Sequence, residues 1–448
     1  MINRKIDTYI SNYYATNRNA LLITGARQIG KTYSIRKFGK TFKNFIEINF
    51  LETPKAVSLF KEAESSSDIL LRLSALTAKP LIKNETLIFF DEVQVCPEIV
   101  TAIKFLVDEG SYRYILSGSL LGVELNDLRS EPVGYMGVKD MYPMDFEEFI
   151  SYIGISKQVI DSLRYSWENR VPVDNFIHSK IMELFRLYLV VGGMPAVVAK
   201  YGESNNLQEV MAVQQDIINL YKRDISQYDL NSKLNLNEIF NLIPSELNAK
   251  NKRFIFKSLN ENAKYERFQN SFLWLKNAGV ALPVYNVEEP KVPLLLSRSR
   301  NLFKLFQCDV GLLAAQYAEG IQLRIINGDK SINFGSIFEN AVAQELVAHS
   351  FDVYYYNSKK RGEIDFVIEL NGKVIPIEVK SGKDYEVHRA LSNIMDCSEY
   401  ELPQAIILNN NNLKLEGKYL YAPIYMVMFI EKKNDTPSFY RVDLSGLT

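Results

Sequence analysis

Cysteine and histidine are scarce in this sequence. The three cysteines, Cys96, Cys308 and Cys397, stand far apart among 448 residues and form no CxxC pair. That argues against a disulfide framework or a zinc site and fits a reducing compartment. The three histidines, His178, His349 and His388, are equally scattered, whereas metal sites cluster them. An excess of charge of either sign is also missing. The net charge is −1, so no global basic field points to nucleic acid, and only a local basic face can serve that purpose. No window approaches the roughly 18 apolar residues of a membrane helix. The run Tyr419–Ile430 is too short and too rich in tyrosine and β-branched residues, and it reads as a buried strand. The first residues, Met1 to Asp7, lack the apolar stretch of a signal peptide. A cytoplasmic chain without a membrane partner is expected.

What is present is organised. Over the first 150 residues, short apolar runs alternate with amphipathic stretches. Leu21–Ile23, Phe45–Ile48, Leu87–Phe90 and Tyr114–Leu116 read as buried parallel strands, separated by helical patterns at Lys55–Lys61, Ser67–Thr77 and Glu98–Asp108. This alternation predicts an α/β fold with a doubly wound parallel sheet. Asp145, with Glu148 three residues on, predicts a capped helix start. A mostly helical stretch follows to about Tyr228, broken once at Gly192-Gly193-Met194-Pro195. Further on, Glu363–Leu370 and Lys373–Lys380 flank Asn371-Gly372, a strong hairpin dipeptide.

The chemistry begins at Gly25-Ala26-Arg27-Gln28-Ile29-Gly30-Lys31-Thr32. Glycines at both ends of GxxxxGK[ST] let the backbone curl its N–H groups towards a phosphate. Lys31 is placed to reach the β- and γ-phosphates, and the Thr32 hydroxyl to reach a magnesium ion. An apolar strand precedes the motif and a helical stretch follows it, as a phosphate-binding loop requires. Leu87-Ile88-Phe89-Phe90-Asp91-Glu92 is an apolar strand ending in two acids. Buried carboxylates are costly without a task; Asp91 is placed to hold magnesium and Glu92 to polarise the attacking water. Ser117 and Ser119 end the next strand, where either hydroxyl can sense the γ-phosphate. ATP and Mg2+ are therefore the expected ligands.

This ordered set, with Phe90-Asp91-Glu92-Val93-Gln94, Ser117-Gly118-Ser119, Met141-Tyr142-Pro143, Gly192-Gly193-Met194-Pro195 and Tyr221-Lys222-Arg223-Asp224-Ile225, resembles prokaryotic AAA-like ATPases that carry a C-terminal domain of unknown function. The resemblance runs over nearly the whole chain. It implies an ATPase core, a helical region with a winged helix, and a restriction-endonuclease-like terminal domain. One departure stands out. Many members have a Gly-Arg pair where this chain reads Glu131-Pro132-Val133-Gly134-Tyr135-Met136-Gly137. Arg129 is near but out of place, which argues against an arginine finger across a hexameric ring and leaves the oligomeric state open.

At the C-terminal end, Asp365 lies on an apolar strand, and Glu378 and Lys380 lie on the next, sharing a face by the two-residue strand period. Glu339 lies on the preceding helix. The set resembles the PD-(D/E)xK nuclease core, in which two acids hold a divalent metal and the lysine stabilises charge on the scissile phosphate. The resemblance assigns Asp365 and Glu378 to the metal and Glu339 and Lys380 beside them. The same fold also serves binding alone. Between the two ends, Asn248–Val284 has helix–turn–helix spacing, Asn262–Asn277 would be the recognition helix, and Gly279–Leu296 would be the wing. Lys264, Arg267 and Lys276 beside Tyr265 and Phe268 suit phosphate contacts, with Arg298-Ser299-Arg300 and Lys359-Lys360-Arg361 as further basic clusters.

The resulting division is an ATPase domain at 1–153, a helical lid at 154–228, a winged-helix domain at 229–305 and a nuclease-like domain at 306–448. The function expected is ATP hydrolysis coupled to a nucleic-acid-binding, nuclease-like domain with DNA or RNA as partner. The alternative is an ATP-gated switch that binds a protein through a silent nuclease fold.

Overall fold

Apolar β-branched and aromatic runs set the first sheet. In the computed structural model, which describes residues 2–61, 65–77, 80–118, 134–228, 233–249, 252–259, 265–329, 335–382 and 384–432, these runs become β1 (Ala20–Thr24), β2 (Asn44–Asn49), β3 (Thr86–Asp91) and β4 (Arg113–Ser117). A fifth strand, β5 (Met136–Asp140), pairs with β1. Its residues are half-exposed and include Gly137 and Lys139, so it carries no apolar run for a sequence reading to find. The order is β2-β3-β4-β1-β5, and every pairing is parallel. The register places Asn49 beside Asp91 and Ile23 beside Ser117. The carboxyl ends of β1 to β4 therefore meet at one height, the edge where open α/β sheets bind ligands.

The helix Phe146–Ile153 starts as expected. Asp145 accepts from the Glu148 amide at 2.8 Å and the Glu148 carboxylate accepts from the Asp145 amide at 3.3 Å, a reciprocal cap. Helices Lys157–Asn169, Asn175–Val191, Pro195–Ser204, Leu207–Tyr228 and Lys233–Asn248 follow. Among the described residues no single helix is long and apolar enough to cross a membrane.

The second sheet has eight strands in the order β12-β13-β11-β10-β9-β8-β6-β7. They are β6 (Ala281–Val287), β7 (Arg298–Gln307), β8 (Tyr354–Ser358), β9 (Gly362–Leu370), β10 (Lys373–Val379), β11 (Ala405–Asn409), β12 (Lys414–Glu416) and β13 (Tyr419–Pro423). The β9–β10 hairpin turns over Asn371 (φ 52°) and Gly372 (φ 69°), with Leu370 opposite Lys373, the turn that Asn-Gly favours. The expected wing is corrected here. β6 pairs antiparallel with β7 and parallel with β8, so the strand pair joins the C-terminal sheet rather than projecting from a separate winged helix. The long-range β6–β8 pairing has no local sequence signal. The helix Tyr265–Asn277 buries Phe268, Phe272, Trp274 and Leu275, and Phe272 lies edge-on to Phe303 at 4.8 Å. Its aromatic residues thus serve the core. Residues 260–264, including Lys264 and the start of the expected recognition helix, lie outside the described residues, as do Ser119, Arg129 and Glu131–Val133. The expected strand Tyr419–Ile430 ends at Pro423 and turns into a buried 3-10 segment, Ile424–Phe429, because proline cannot extend the ladder as a donor.

Candidate functional site

The loop after β1 closes on itself. Gly25 (φ 133°), Gln28 (φ 67°) and Gly30 (φ 92°) all take positive φ, and Gly30 is the N-cap of the helix Lys31–Gly39. A Cβ on Gly25 would lie 2.3 Å from the Met141 carbonyl oxygen, so that position admits only glycine. Lys31 donates to the carbonyls of Gly25 at 2.8 Å and Ala26 at 2.7 Å. Its ammonium thus sits within the curl, on partners that a phosphate would replace. Burial lowers its pKa to about 8, against the raising influence of Glu92 and Asp91. A cleft of about 600 Å³ opens over Arg27, Gln28, Lys31, Thr32 and Glu92.

Asp91 is the hub of the acidic side. Its carboxylate accepts from the Thr32 hydroxyl at 3.1 Å, from Asn49 at 3.3 Å and from the Glu92 amide at 3.1 Å. Burial raises its pKa, with the neighbouring Glu92 adding to the effect. Ser117 also donates to Asp91 and is fully buried. It orients that carboxylate from the end of β4. Glu92 takes a left-handed conformation (φ 57°), which directs its side chain into the cleft rather than along the strand; Gln94 donates to it.

The loop is buttressed from three sides. Arg4 is buried and donates to the Ile29 carbonyl at 3.0 Å, to Tyr142 at 2.8 Å and to Glu148 at 2.9 Å. From the helix Leu207–Tyr228, Asp224 accepts from Arg27 at 2.8 Å and the Tyr221 hydroxyl donates to the Arg27 carbonyl at 3.0 Å. From the start of the second sheet, Gly279 (φ 73°) approaches so closely that a Cβ there would lie 2.9 Å from the Ala26 nitrogen. Lys276 and Arg298, expected on a phosphate-binding face, line a cavity of about 450 Å³ between this loop and the second sheet.

The C-terminal acids converge as well. Asp365 on β9 accepts from the Val379 amide on β10 at 2.9 Å. Lys380 lies 2.8 Å from Glu378. Burial, then repulsion from Asp365, pushes Glu378 up to about 8; the same two causes raise Glu339. Two lysines that were not anticipated join them. Lys252 pairs with Glu339. Lys304 on β7 has no exposure and lies 2.8 Å from Glu363, 3.6 Å from Glu339 and 3.9 Å from Asp365. Among the described residues no group of three or more His, Cys, Asp or Glu is arranged to hold a metal ion. Ammonium groups stand among these carboxylates, to two of which, Asp365 and Glu378, the resemblance assigns a metal. The sequence signal was present but unread, a lysine inside the apolar strand Phe303-Lys304-Leu305-Phe306.

Residues 17–150 match the family model described as an AAA domain. The N-terminal part is an AAA-like P-loop ATPase domain. Beyond it, residues 182–322 and 334–426 match two models described as domains of unknown function, DUF8612 and DUF4143. No curated protein matches the sequence. Among solved structures, the walker-type ATPase PABY2304 of Pyrococcus abyssi is 14% identical, with 70% of this chain and 96% of that chain covered and a TM-score of 0.42. The RuvB Holliday junction branch migration motor of Thermotoga maritima is 13% identical, with 65% and 91% covered and a TM-score of 0.28. Arg4, Tyr221, Asp224 and Gly279, which hold the nucleotide loop of the ATPase domain, lie outside its motif. Of these only Tyr221 and Asp224 stood in a recognised run, and nothing in that run fixes what they touch.

Proposed function

We propose that the chain is an ATP-hydrolysing switch whose nucleotide state is passed from the ATPase domain to the second sheet, which acts by binding a partner. The observation that carries this is the seating of one phosphate loop against three separate parts of the chain, through Arg4, Arg27–Asp224 and Ala26–Gly279. Lys31 and the loop amides suit the β- and γ-phosphates of ATP. Thr32 and Asp91 fit a magnesium ion, being adjacent oxygen donors at the cleft, and the ion when bound supplies neutralisation of phosphate charge. Glu92 is the one carboxylate of the pair directed into the cleft, and it takes the proton of the attacking water. Placing a triphosphate on Lys31 draws its ammonium away from the Gly25 and Ala26 carbonyls. The loop that those bonds shape is the loop on which Gly279 and Asp224 rest, so both contacts respond.

The binding role is favoured over cleavage by the lysines among the C-terminal acids. The test is hydrogen exchange of Glu92→Gln with and without Mg-ATP. The proposal expects ATP to alter protection both in Leu207–Tyr228 and in Gly279–Gln307. A change confined to residues 20–118 would refute the coupling. A nuclease reading would instead be supported by metal-dependent loss of DNA or RNA integrity that disappears in Asp365→Ala.

A further inference from the structure

Among the described residues three cations line the cleft over the phosphate loop: Arg4, Arg27 and Lys31. Arg4 is buried and committed to the Ile29 and Tyr142 carbonyls and the Glu148 carboxylate. Lys31 lies within the curl of the loop. Arg27 differs from both. It belongs to the loop itself, yet its side chain is 32% exposed and reaches out to Asp224 at 2.8 Å. Its main chain is held separately, by the Tyr221 hydroxyl on its carbonyl at 3.0 Å. Tyr221 and Asp224 stand three residues apart on the helix Leu207–Tyr228, and so on one face of it. The guanidinium can therefore change partners while that helix still supports the loop. The groups that act on ATP are close by. Burial lowers the Lys31 pKa and Arg27 adds to that; burial raises the Asp224 pKa, and Glu92 adds to that against the pull of Arg27. These four side chains share one electrostatic neighbourhood.

We infer that Arg27 is a catalytic residue supplied within the same chain: its guanidinium leaves Asp224 for the γ-phosphate when ATP binds, and it stabilises the charge on that phosphate during hydrolysis. The inference rests on the ATP-hydrolysing reading above and names the group that tells ATP from ADP. A guanidinium fork fits phosphate oxygens as well as it fits a carboxylate, and the γ-phosphate brings more negative charge than the one carboxylate it displaces. A partly exposed ion pair is weak, so little holds Arg27 to Asp224 once that phosphate lies on Lys31. In the hydrolytic step the water oxygen bonds to the γ-phosphorus and Glu92 takes the water proton. The bond from that phosphorus to the β–γ bridging oxygen breaks, and ADP leaves with the electron pair. Arg27 neutralises the oxygens of the transferred group. ADP lacks the γ-phosphate and leaves the Arg27–Asp224 pair in place.

The experiment has two readouts on the full chain with Mg2+. One is phosphate release at saturating ATP. The other is affinity for ATP and for ADP, by competition with a fluorescent analogue in a Glu92→Gln background. Arg27→Ala should lower the release rate at least about 100-fold. It should weaken ATP binding at least about tenfold and leave ADP binding within about threefold. Asp224→Asn removes the competing carboxylate and should tighten ATP binding by about two- to fivefold. A pair that only braces the loop predicts the opposite, with both substitutions weakening ATP and ADP alike. That outcome, or a smaller fall in rate for Arg27→Ala, overturns the inference. The Asp224→Asn arm decides even if Arg27→Ala fails to fold. Arg27→Ala and Glu92→Gln mixed in one solution should stay at the rates of the separate variants; restored turnover would place the arginine across an interface and overturn its role within the chain. A wild type without turnover fails the hydrolysis reading itself, and the affinities then still decide the role of Arg27.

Discussion

Lys31→Met should weaken nucleotide binding and, at neutral pH, strengthen the empty protein. Wild-type Lys31 is buried with a pKa of about 8 instead of 10.5. At about 1.4 kcal/mol per tenfold change in proton affinity, holding that ammonium in the nucleotide-free loop costs on the order of 3 kcal/mol below pH 8. Between pH 8 and 10.5 the unfolded chain binds the proton and the folded one does not, so this contribution to stability rises with pH across that window and is flat below it. Methionine has no charge to bury but forfeits the two donations to Gly25 and Ala26, worth about 1 kcal/mol each. Nucleotide-free Lys31→Met should therefore be about 1 kcal/mol more stable than wild type at pH 7 and the less stable of the two at pH 10. Urea unfolding of both proteins from pH 6.5 to 10, taken as a difference, isolates this residue from other titrating groups. Competition with a fluorescent ATP analogue should show at least a 100-fold loss of affinity, about 3 kcal/mol. A constant stability difference across the pH range, or unchanged affinity, would refute the reasoning.

Other substitutions probe the remaining contacts. Glu92→Gln should keep ATP affinity within about threefold and lower the hydrolysis rate by about 100-fold or more, the range expected for a general base; single-turnover phosphate release checks this, and normal turnover would place the base elsewhere. Gly279→Ala forces a Cβ to 2.9 Å from the Ala26 nitrogen at φ 73°. It should destabilise the chain by about 1–2 kcal/mol through the left-handed conformation and the displaced loop, and raise the ATP concentration for half-saturation more than it lowers the maximal rate. Asp224→Ala removes an ion pair that is partly exposed on the arginine side, so global stability should fall by less than about 1 kcal/mol. ATP-induced protection in Leu207–Tyr228 should nevertheless disappear, and its persistence would show that the pair carries no coupling.

How far the sequence was legible depended on the range of the interactions. Runs such as Leu87–Phe90 are buried on both faces and announced themselves as strands. The Asp145–Glu148 cap and the Asn371-Gly372 turn are decided within four residues, and both formed as read. The phosphate loop is equally local, because its glycines answer to their own φ angles. β5 was missed because an edge strand with Gly137 and Lys139 shows no apolar pattern. The strand pair β6–β7 was read as a wing because its pairing with β8 joins residues 285–287 to 354–356, which no local window displays. Lys304 escaped for a related reason. A lysine in Phe303–Phe306 is a local anomaly, but only the folded chain brings Glu339, Glu363 and Asp365 to it.

The central claim, that the ATPase domain hydrolyses ATP at Lys31, Thr32, Asp91 and Glu92, is tested most directly by phosphate release from Mg-ATP by the purified full chain. A reaction without protein serves as the blank in the same assay. The account predicts turnover by wild type that requires Mg2+, falls to the blank in Lys31→Met and drops by about 100-fold or more in Glu92→Gln. Phosphate release that persists in those two variants, or its absence in a wild-type chain that binds ATP, would contradict it.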